Sequence, residues 1–336
     1  MENILTLAIE SSCDETAVAV VRDGRTVMSN IISSQVEIHK IFGGVVPEIA
    51  SRHHLEQINY VTDNALAEAG VDLYDIDIIG VTQGPGLVGA LLIGLATAKA
   101  FALALKKPIV GVNHIHAHLC ANYIEHIDLE PPFLGLIVSG GHTNIIKVTG
   151  YNNYEILGRT RDDAAGEAFD KVARTLGLEY PGGPAIDKLA ASGDPKAVEF
   201  KRVFLEKNSL DFSFSGVKTG VLNYINTEKQ AGRDINKADV AAGFQQSVVD
   251  VICAKTIFAA ELHGEDKIVM AGGVAANSLL RESLDKMCRE KGFDLYYPSP
   301  ILCTDNGAMV GAAAYYKYME TGEDGLDMDA CPNLRL

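Results

Sequence analysis

The chain reads LTLAIE-SSCDE-TAVAVV at residues 5–21, and FLGLIV-SGGH-TNIIKV at residues 133–148 repeats that pattern. Each stretch is typical of a strand, a tight loop and a second strand, and a turn then leads to a third run rich in Ile, Val and Thr. Because Phe133 stands where Leu5 stands, the two copies are displaced by about 128 residues. The sequence therefore indicates an internal duplication.

Two later segments extend the duplication. Residues 77–86 and 267–277 are both apolar strands that end in glycines and run into a helix, at an offset of 190. The difference between the offsets, 62 residues, predicts a polar, helix-like insertion at about 163–245. We therefore expect a duplicated α/β fold, with a first lobe of residues 1–110 plus 305–336 and a second lobe of 111–304 that carries the insertion. Such a fold is expected to bind its ligand in the cleft between the copies.

Composition narrows the class of protein. With 336 residues, 47% apolar and 22% charged, the chain is typical of a soluble globular protein of two lobes or domains. No cationic start precedes an apolar run, and the six cysteines form no CxxC pair, so a reducing cytoplasm is expected and a ferredoxin or zinc ribbon is excluded. Residues 87–105 are almost wholly apolar, but Thr97 and Lys99 favour a buried helix over a membrane span.

Net charge limits how the chain could bind nucleic acid. It carries 29 basic and 44 acidic residues, a formal charge of −15. Proteins that bind nucleic acid unaided usually have an excess of Lys and Arg. Any nucleic-acid substrate therefore requires a local basic patch or a basic partner.

Three histidines, His114, His116 and His118, fall within five positions after an apolar run. On a helix, His114 and His118 share a face and are spaced to bind one divalent metal, whereas His116 points elsewhere. The zinc-protease glutamate is missing, because Ile115 follows the first histidine. Two partly buried histidines bonded to backbone are an equally good explanation. Asp305, before an Ala-rich helix, would either cap that helix or supply a third ligand.

Several glycine-rich loops are candidates for nucleotide contacts, although each also fits an ordinary turn or helix cap. Gly140 and Gly141 would free backbone amides to face an anion. In the matching loop of the first copy, Asp14 and Glu15 would repel phosphate, so they suit a cation, a water or a proton transfer better. Asn277, after Gly272–Gly273, would bond the edge of a base. The other polar candidates are Asp162, Asp163, Glu167, Asp170 and Asp187, the last behind the loop at 180–184.

A series of motifs occurs in one order along the chain. They are IESSCDET (9–16), GGVVPE (43–48), GPGL (84–87), HIHAH (114–118), SGGHT (139–143), GEAFDK (166–171), FSFSG (212–216), MAGGVAAN (270–277) and CTDNGA (303–308). Over essentially its whole length, the chain resembles the bacterial tRNA N6-adenosine threonylcarbamoyltransferases.

This resemblance implies the actin-like, Hsp70-like and sugar-kinase-like ATPase fold. It implies transfer of a threonylcarbamoyl group from threonylcarbamoyl-AMP to N6 of the adenosine 3′ of the anticodon, in tRNAs that read codons beginning with adenine, with release of AMP. By motif, the metal ligands, for iron or zinc, would be His114, His118 and Asp305. The nucleotide contacts would be Val138, Ser139, Gly140, Gly141, His142, Asp170, Gly183, Asp187 and Asn277. Asp14 or Glu15 would take the amine proton.

The resemblance also implies partners: tRNA, a shorter paralogous subunit and a small ATPase, with no membrane. Two other functions fit parts of the sequence. The histidine pair suggests a metalloprotease, which a peptidase assay with and without chelator would detect. The fold would also suit an ATP-binding regulatory or chaperone-like module, which would bind ATP and be indifferent to tRNA.

Overall fold

The computed structural model describes residues 3–336, and these divide into two units that are each built on a five-stranded sheet. Unit 1 takes in the chain as far as Pro131, Gly150–Asn153 and Pro298–Leu336, and unit 2 takes in Pro132–Thr149 and Tyr154–Tyr297. The elements up to residue 125 are β1 (Leu5–Glu10), β2 (Glu15–Arg22), β3 (Thr26–Ser34), α1 (Val36–Lys40), α2 (Pro47–Ala69), β4 (Ile78–Gly84), α3 (Val88–Leu105), β5 (Ile109–Asn113) and α4 (His114–Glu125).

The second half of the chain repeats this order with more helices between its strands. Its elements are β6 (Phe133–Val138), β7 (Thr143–Gly150), β8 (Asn153–Arg159), α5 (Ala165–Leu176), α6 (Gly182–Ala190), α7 (Ser215–Gln230), α8 (Lys237–His263), β9 (Lys267–Ala271), α9 (Ser278–Lys291), β10 (Asp294–Tyr296), α10 (Pro300–Cys303) and α11 (Gly307–Thr321). Short 3-10 turns lie at Leu73–Asp75 and Gly273–Ala276. The region predicted as an insertion, 163–245, holds α5 to α7 and the start of α8.

Strand pairing confirms the duplicated α/β fold. The sheet of unit 1 has the strand order β3-β2-β1-β4-β5. The sheet of unit 2 has the order β8-β7-β6-β9-β10, which is the same arrangement of equivalent strands. In unit 1, Thr6 of β1 is opposite Ile78 of the parallel strand β4. In unit 2, Leu134 of β6 is opposite Ile268 of β9. The displacements are again 128 and 190 residues, so both sheets are paired in one register.

The predicted boundary between residues 110 and 111 differs from this division. Strand β5 pairs with β4 as the edge of the first sheet, and helix α4 follows it directly and lies against α11. Residues 111–131 and 298–304 therefore belong to unit 1. The assignment of these residues to unit 1 depends on the pairing of β5 with β4 and on the contact of α4 with α11, and neither can be predicted from the periodicity of the sequence.

Helix α11 lies close against the first sheet because its inner face carries small residues. It contacts β1, β2, β4 and α4. A Cβ added at Gly307 would lie 2.6 Å from the backbone nitrogen of Ala19 in β2, and one at Gly311 would lie 2.6 Å from Val21 Cγ2. Asn306 accepts a hydrogen bond from the Met309 amide and so begins the helix. This packing places Asp305 at the N-terminus of α11, beside the carboxyl ends of the parallel strands.

Helix α3 has one buried and one exposed apolar face. Within residues 3–336 it is the one helix that is long and apolar enough to cross a membrane by length and composition, and 33% of it is buried. Its buried residues are Ala90, Leu91, Gly94, Leu95, Ala98 and Ala102. On the other face, Val88 is 54% exposed and Leu103 67% exposed. The expected burial of this segment therefore applies to one face only.

Candidate functional site

Two helix N-termini form the centre of a histidine and carboxylate cluster in unit 1. Strand β5 ends at Asn113, whose side chain accepts hydrogen bonds from the amides of Ile115 and His116 and begins α4. His114 is therefore the first residue of α4, and His118 lies one turn further on the same face. Asp305 stands one residue before the cap of α11. The contact between α4 and α11 brings the three side chains together.

The three side chains converge on one point. His118 Nε2 lies 3.2 Å and His114 Nε2 lies 3.5 Å from Asp305 Oδ1, and the three ligand atoms all lie within 4.8 Å of one another. In a tetrahedral site with metal–ligand bonds of about 2.0–2.1 Å, neighbouring ligand atoms are about 3.3 Å apart. Two imidazole nitrogens and one carboxylate are thus a donor set that is compatible in chemistry and spacing with one divalent metal. The group fits the predicted divalent metal.

A buried carboxylate lies behind His114. Glu10, at the end of β1, has an Oε2 atom 3.0 Å from His114 Nδ1, the ring nitrogen that faces away from Asp305. Burial lowers the pKa of His114, but the Asp305 and Glu10 carboxylates outweigh it and raise that pKa to about 9. Burial raises the pKa of Glu10, yet His114 outweighs it and the net direction is down. Without a metal, a proton on His114 balances the two acids.

His116 lies outside this group. It is buried on another face of α4, with its Nε2 3.7 Å from Cys120 Sγ, one turn along the helix. Burial lowers its pKa to about 4, so the ring is neutral at ordinary pH. Its exclusion as a ligand stays a prediction.

Asp14 and Glu15 lie in the β1–β2 loop near the same end of the sheet. Asp14 is buried, and Glu15 accepts a hydrogen bond from Ser34 Oγ at 3.0 Å. Burial, then the charges of Asp14 and Asp305, raise the pKa of Glu15 well above its ordinary value of 4.5. Burial and Asp14 also raise the pKa of Cys13, so this thiol stays protonated and is a poor nucleophile. The carboxyl groups of Asp14 and Glu15, rather than the Cys13 thiol, therefore stay the predicted candidates for acid–base chemistry in this loop.

In unit 2, the loop that follows Val138 is a closed turn with exposed amides. The Ser139 amide donates to the His142 carbonyl at 2.8 Å, and the His142 amide donates to Ser139 Oγ at 3.2 Å. Within the described part of the chain, the amides of Gly140 and Gly141 donate no hydrogen bond, and a Cβ added at either would meet nothing within 4 Å. Two amides that donate no hydrogen bond, in a loop with open space beside both glycines, are suited to an anion.

The N-terminus of α5 holds this loop in place. The amides of Gly166 and Glu167 donate to the carbonyls of Ser139 and Gly140 at 3.2 and 3.1 Å. A Cβ at Gly166 would lie 2.7 Å from the Gly140 Cα, so only glycine allows this approach. One turn later, Asp170 Oδ1 accepts from the Gly182 amide at 2.7 Å, next to Gly183 at the start of α6. Loop, α5 and α6 thus form one connected region.

Asp187, in α6, joins this region to the turn before α9. Its Oδ1 accepts hydrogen bonds from Gln245 Nε2 at 3.1 Å, Asn277 Nδ2 at 3.2 Å and Ser278 Oγ at 2.8 Å. Asn277 Oδ1 accepts from the Leu280 amide, so this residue also caps α9 as the alternative explanation held. Gly272, with φ of +93°, brings the turn against the carbonyl of Val138.

The other predicted acidic residues of this region are committed to structural contacts. Asp162 accepts hydrogen bonds from the side chains of Ser213 and Ser215, at 2.5 and 2.6 Å, and from two amides at the start of α7. Asp163 forms ion pairs with Lys171 and Lys218. Asp162 and Asp163 thus stabilise the start of α7, and the sequence could not distinguish them from Asp170 and Asp187.

Three residues in these clusters have no role that the sequence alone predicts. Glu10 and Gly166 lie in recognised motifs without an individual role, and Gln245 lies inside the predicted insertion. Their partners are far away in sequence: Glu10 meets His114 across 104 positions and Gln245 meets Asp187 across 58. The one available signal was Glu10 as a charged residue at the end of an otherwise apolar strand.

Comparison with known proteins extends these observations. A family model described as tRNA N6-adenosine threonylcarbamoyltransferase matches residues 26–312. A protein of that name from Clostridium beijerinckii is 58% identical over 336 residues, which are 100% of this chain and 99% of the relative. One from Clostridium perfringens is 57% identical over 336 residues, again 100% and 99% of the two chains.

Solved structures of distant proteins share the fold. Full-length HypF in its phosphate- and nucleotide-bound form matches with a TM-score of 0.63 and 18% identity over 96% of this chain and 47% of that one. Component A of the Acidaminococcus fermentans (R)-2-hydroxyglutaryl-CoA dehydratase matches with a TM-score of 0.54 and 17% identity, over 94% of this chain and 100% of that one. At these identities, the likeness concerns the fold alone, which is of the actin-like ATPase type.

Proposed function

The chain belongs to the tRNA N6-adenosine threonylcarbamoyltransferase family, and from that premise we propose how its own residues carry out the transfer. Like its relatives, it is an acyltransferase that modifies tRNA by forming threonylcarbamoyladenosine. The finer proposal is that the acyl donor is threonylcarbamoyl-AMP, that the acceptor is the adenosine 3′ of the anticodon in tRNAs reading codons that begin with adenine, and that AMP leaves.

The convergence of His114, His118 and Asp305 is the observation that carries this mechanism. We assign these residues as ligands of one divalent metal, iron or zinc. When bound, the metal would supply Lewis-acid charge for the carbamoyl oxygen and a template for the acyl group. The anhydride already contains a good leaving group, so the main tasks left to the protein are to hold the acyl carbon and the weakly nucleophilic amine in reacting geometry.

Residues of unit 2 would bind the adenylate. The free amides of Gly140 and Gly141 suit its phosphate, within a loop formed by Val138, Ser139 and His142. The ribose hydroxyls would be bound by the carboxylates of Asp170 and Asp187 and by the backbone of Gly183. Asn277 would hydrogen-bond the edge of the adenine. Gln245 would keep Asp187 and Asn277 in position, because it contacts both side chains.

A carboxyl group of the β1–β2 loop would take the proton from the amine. Asp14 and Glu15 are the candidates, and the raised pKa of Glu15 makes its carboxylate a stronger base than an ordinary glutamate. Replacing Glu15 by Gln and Asp14 by Asn in separate variants tests the choice. The variant that lacks the base should have lower turnover with little change in its affinity for the acyl-adenylate. An equal loss of turnover in both variants would contradict the assignment of the base to one residue.

Family membership removes the two other functions. The residue after His114 is a buried isoleucine, and the carboxylate nearest to that ring, Glu10, faces its Nδ1 rather than the ligand side. A metalloprotease would need its base on the ligand side. An ATP-binding module without transferase activity does not fit relatives that share 57–58% identity over the full chain and are named as transferases.

The uneven charge of the chain bears on how tRNA would dock. Of the 29 basic residues, 20 lie in unit 2 with 22 of the 44 acidic residues, whereas unit 1 has the other 9 basic and 22 acidic residues. Unit 1 would therefore repel a phosphate backbone. We propose that tRNA contacts unit 2, in the cytoplasm, with the help of partners.

The partners we propose are a shorter paralogous subunit and a small ATPase. Contact with the paralogue would use α3, whose exposed Val88, Leu92 and Leu103 form an apolar face. The purified chain should show negligible turnover with tRNA and acyl-adenylate, and the partners should restore it. Leu92→Glu should abolish that rescue without changing metal content. Full activity of the lone chain would contradict the need for partners.

One cellular experiment tests the function as a whole. Depletion of the protein should remove threonylcarbamoyladenosine from tRNA, measured by mass spectrometry of nucleoside digests, and the wild-type chain should restore it. A His118→Ala chain expressed at the same level should not restore it. Normal levels of the modified nucleoside after depletion would contradict the proposal.

A further inference from the structure

Glu10 is a fully buried carboxylate that takes no part in the reaction assigned above. It ends β1 with 0% of its surface exposed, so its charge must be compensated by neighbours. The Ser12 amide donates to its Oε1 at 2.6 Å, and Thr82 Oγ1 donates to its Oε2 at 2.6 Å. The remaining contact is His114 Nδ1, 3.0 Å from Oε2. Every contact of the carboxylate thus presents a donor.

Two groups face His114 Nδ1: the Glu10 carboxylate at 3.0 Å and the Ser12 hydroxyl at 3.2 Å. The hydroxyl can donate or accept, so the carboxylate favours one tautomer of the ring. An ionised carboxylate only accepts hydrogen bonds, so the hydrogen of a neutral His114 must sit on Nδ1. The lone pair of the ring then lies on Nε2, the nitrogen that faces Asp305 at 3.5 Å. A metal ligand must present such a lone pair, and a carboxylate behind the opposite nitrogen is the usual way to fix it.

The second histidine of the group lacks such a partner. His118 Nδ1 is buried, and among residues 3–336 it has no hydrogen-bond partner. On its Nδ1 side this ring is held by packing, with 3% of the residue exposed, whereas its Nε2 faces Asp305 at 3.2 Å. The two predicted histidine ligands thus differ at Nδ1, because a carboxylate faces this atom in His114 and no hydrogen-bond partner among residues 3–336 faces it in His118.

We propose that Glu10 is a positioning residue that fixes the tautomer and direction of His114 for metal binding. The inference rests on the proposed ligand role of His114, His118 and Asp305. It gives Glu10 a role separate from charge balance: in its absence, the ring would be free to place its hydrogen on Nε2 and turn its lone pair away from the site.

Glu10→Gln is the sharpest variant, because it keeps the size of the side chain. Its amide must still accept from the Ser12 amide, which leaves an N–H₂ group toward His114. That group would force the His114 hydrogen onto Nε2. We expect the affinity of the metal-stripped full chain for Zn²⁺ to fall by roughly 10- to 100-fold, measured by competition with a chromophoric chelator. The visible spectrum of the Co²⁺-loaded protein should change as well.

Thr82→Val is the matched control. It removes one hydrogen bond from the same Oε2 atom but leaves the contact between Glu10 and His114. Its Zn²⁺ affinity should stay within about threefold of wild type, well below the loss typical of a residue that orients a ligand. An equal loss in both variants would overturn the proposal, because loop distortion would then explain it.

Two further results keep the test decisive. If Glu10→Gln folds with wild-type Zn²⁺ affinity and Co²⁺ spectrum, the positioning role is wrong. If that variant does not fold, Glu10→Asp keeps the buried charge but withdraws it by one methylene, and full Zn²⁺ affinity there would equally overturn the proposal. Retention of metal by His118→Ala would instead refute the proposed metal site itself, so the two failures are distinguishable.

Discussion

His118 Nε2 lies 3.2 Å from Asp305 Oδ1, although one residue belongs to α4 and the other directly precedes the cap of α11. Both residues are in unit 1, so the fold of that unit alone creates the contact. The lobes predicted from the sequence separate them, with His118 in the second lobe and Asp305 in the first. Binding of one metal by His114, His118 and Asp305 would therefore require only that unit 1 is folded.

Replacing His118 by Ala should remove the bound metal and the transfer activity, since two ligands cannot hold a catalytic metal as three do. Metal content by elemental analysis and threonylcarbamoyladenosine formation with the partners present are the measurements. His116→Ala is the control: it deletes a neighbouring buried imidazole that lies outside the group, so metal should stay bound. Stoichiometric metal in His118→Ala, or its loss in His116→Ala, would show that the ligand assignment is wrong.

Gly141→Val should weaken nucleotide binding and leave the fold intact. An added Cβ meets no atom within 4 Å, so the cost to the folded chain is small, while the branched side chain would occupy the space that the phosphate needs. Calorimetric titration with AMP measures the affinity, and urea unfolding checks the fold. An unchanged dissociation constant would remove this loop from the site.

Gln245→Met should weaken AMP binding even though we assign no contact between Gln245 and the ligand. The variant removes the hydrogen bonds that hold Asp187 and Asn277, and a loss of several-fold corresponds to about 1 kcal/mol for one such bond. Gln246→Met is the control, because its side chain bonds Asp250 instead. Equal affinities for the two variants would show that Gln245 does not position the site.

The stability of unit 1 should depend on pH through His54. Burial lowers the pKa of this residue below 6.5, and its ring is held between Thr16 Oγ1 at 2.7 Å and the Cys13 carbonyl at 3.0 Å. Above pH 6.5 the ring is neutral in both states. As pH falls through that value, the unfolded chain binds a proton that the folded chain refuses, so the free energy of unfolding decreases.

His54→Gln isolates this contribution, because it removes the titrating ring and keeps an amide near the Cys13 carbonyl. Urea unfolding at pH 7.5, 6.0 and 5.0 should show a smaller decline for the variant than for the wild type. Parallel declines would mean that His54 contributes nothing to the pH dependence.

The sequence predicted most of what depends on local pattern. The duplicated strands and the offsets of 128 and 190 residues follow from alternating apolar residues and glycine turns, and the pairing of Thr6 with Ile78 and of Leu134 with Ile268 confirms them. The pairing of His114 with His118 follows from helical spacing. Asp305 was fixed only by resemblance, since a carboxylate before a helix is also an ordinary cap.

Contacts between distant segments were out of reach of the sequence. Glu10 meets Thr82 across 72 positions and His114 across 104, so no window of the sequence contains the network. The start of unit 2 was misplaced for the same reason, because the contact of α4 with α11 is a tertiary one. Composition did indicate that the helix at 85–105 is more apolar than one buried face requires, but it does not tell which side of the helix is covered.

Because the two sheets have the same register, the chain has two strands, β4 and β9, whose backbone could pair with β1. Register alone therefore does not prevent a strand of one half from pairing with the other half during folding. Side chains discriminate instead: Gly80 of β4 has α11 so close that a Cβ would lie 2.7 Å from Ala314 Cβ, and the matching residue of β9 is Met270. A sheet assembled with β9 in place of β4 could not admit α11. The packing of α11, the last long helix of the chain, thus favours β4 over β9 as the partner of β1.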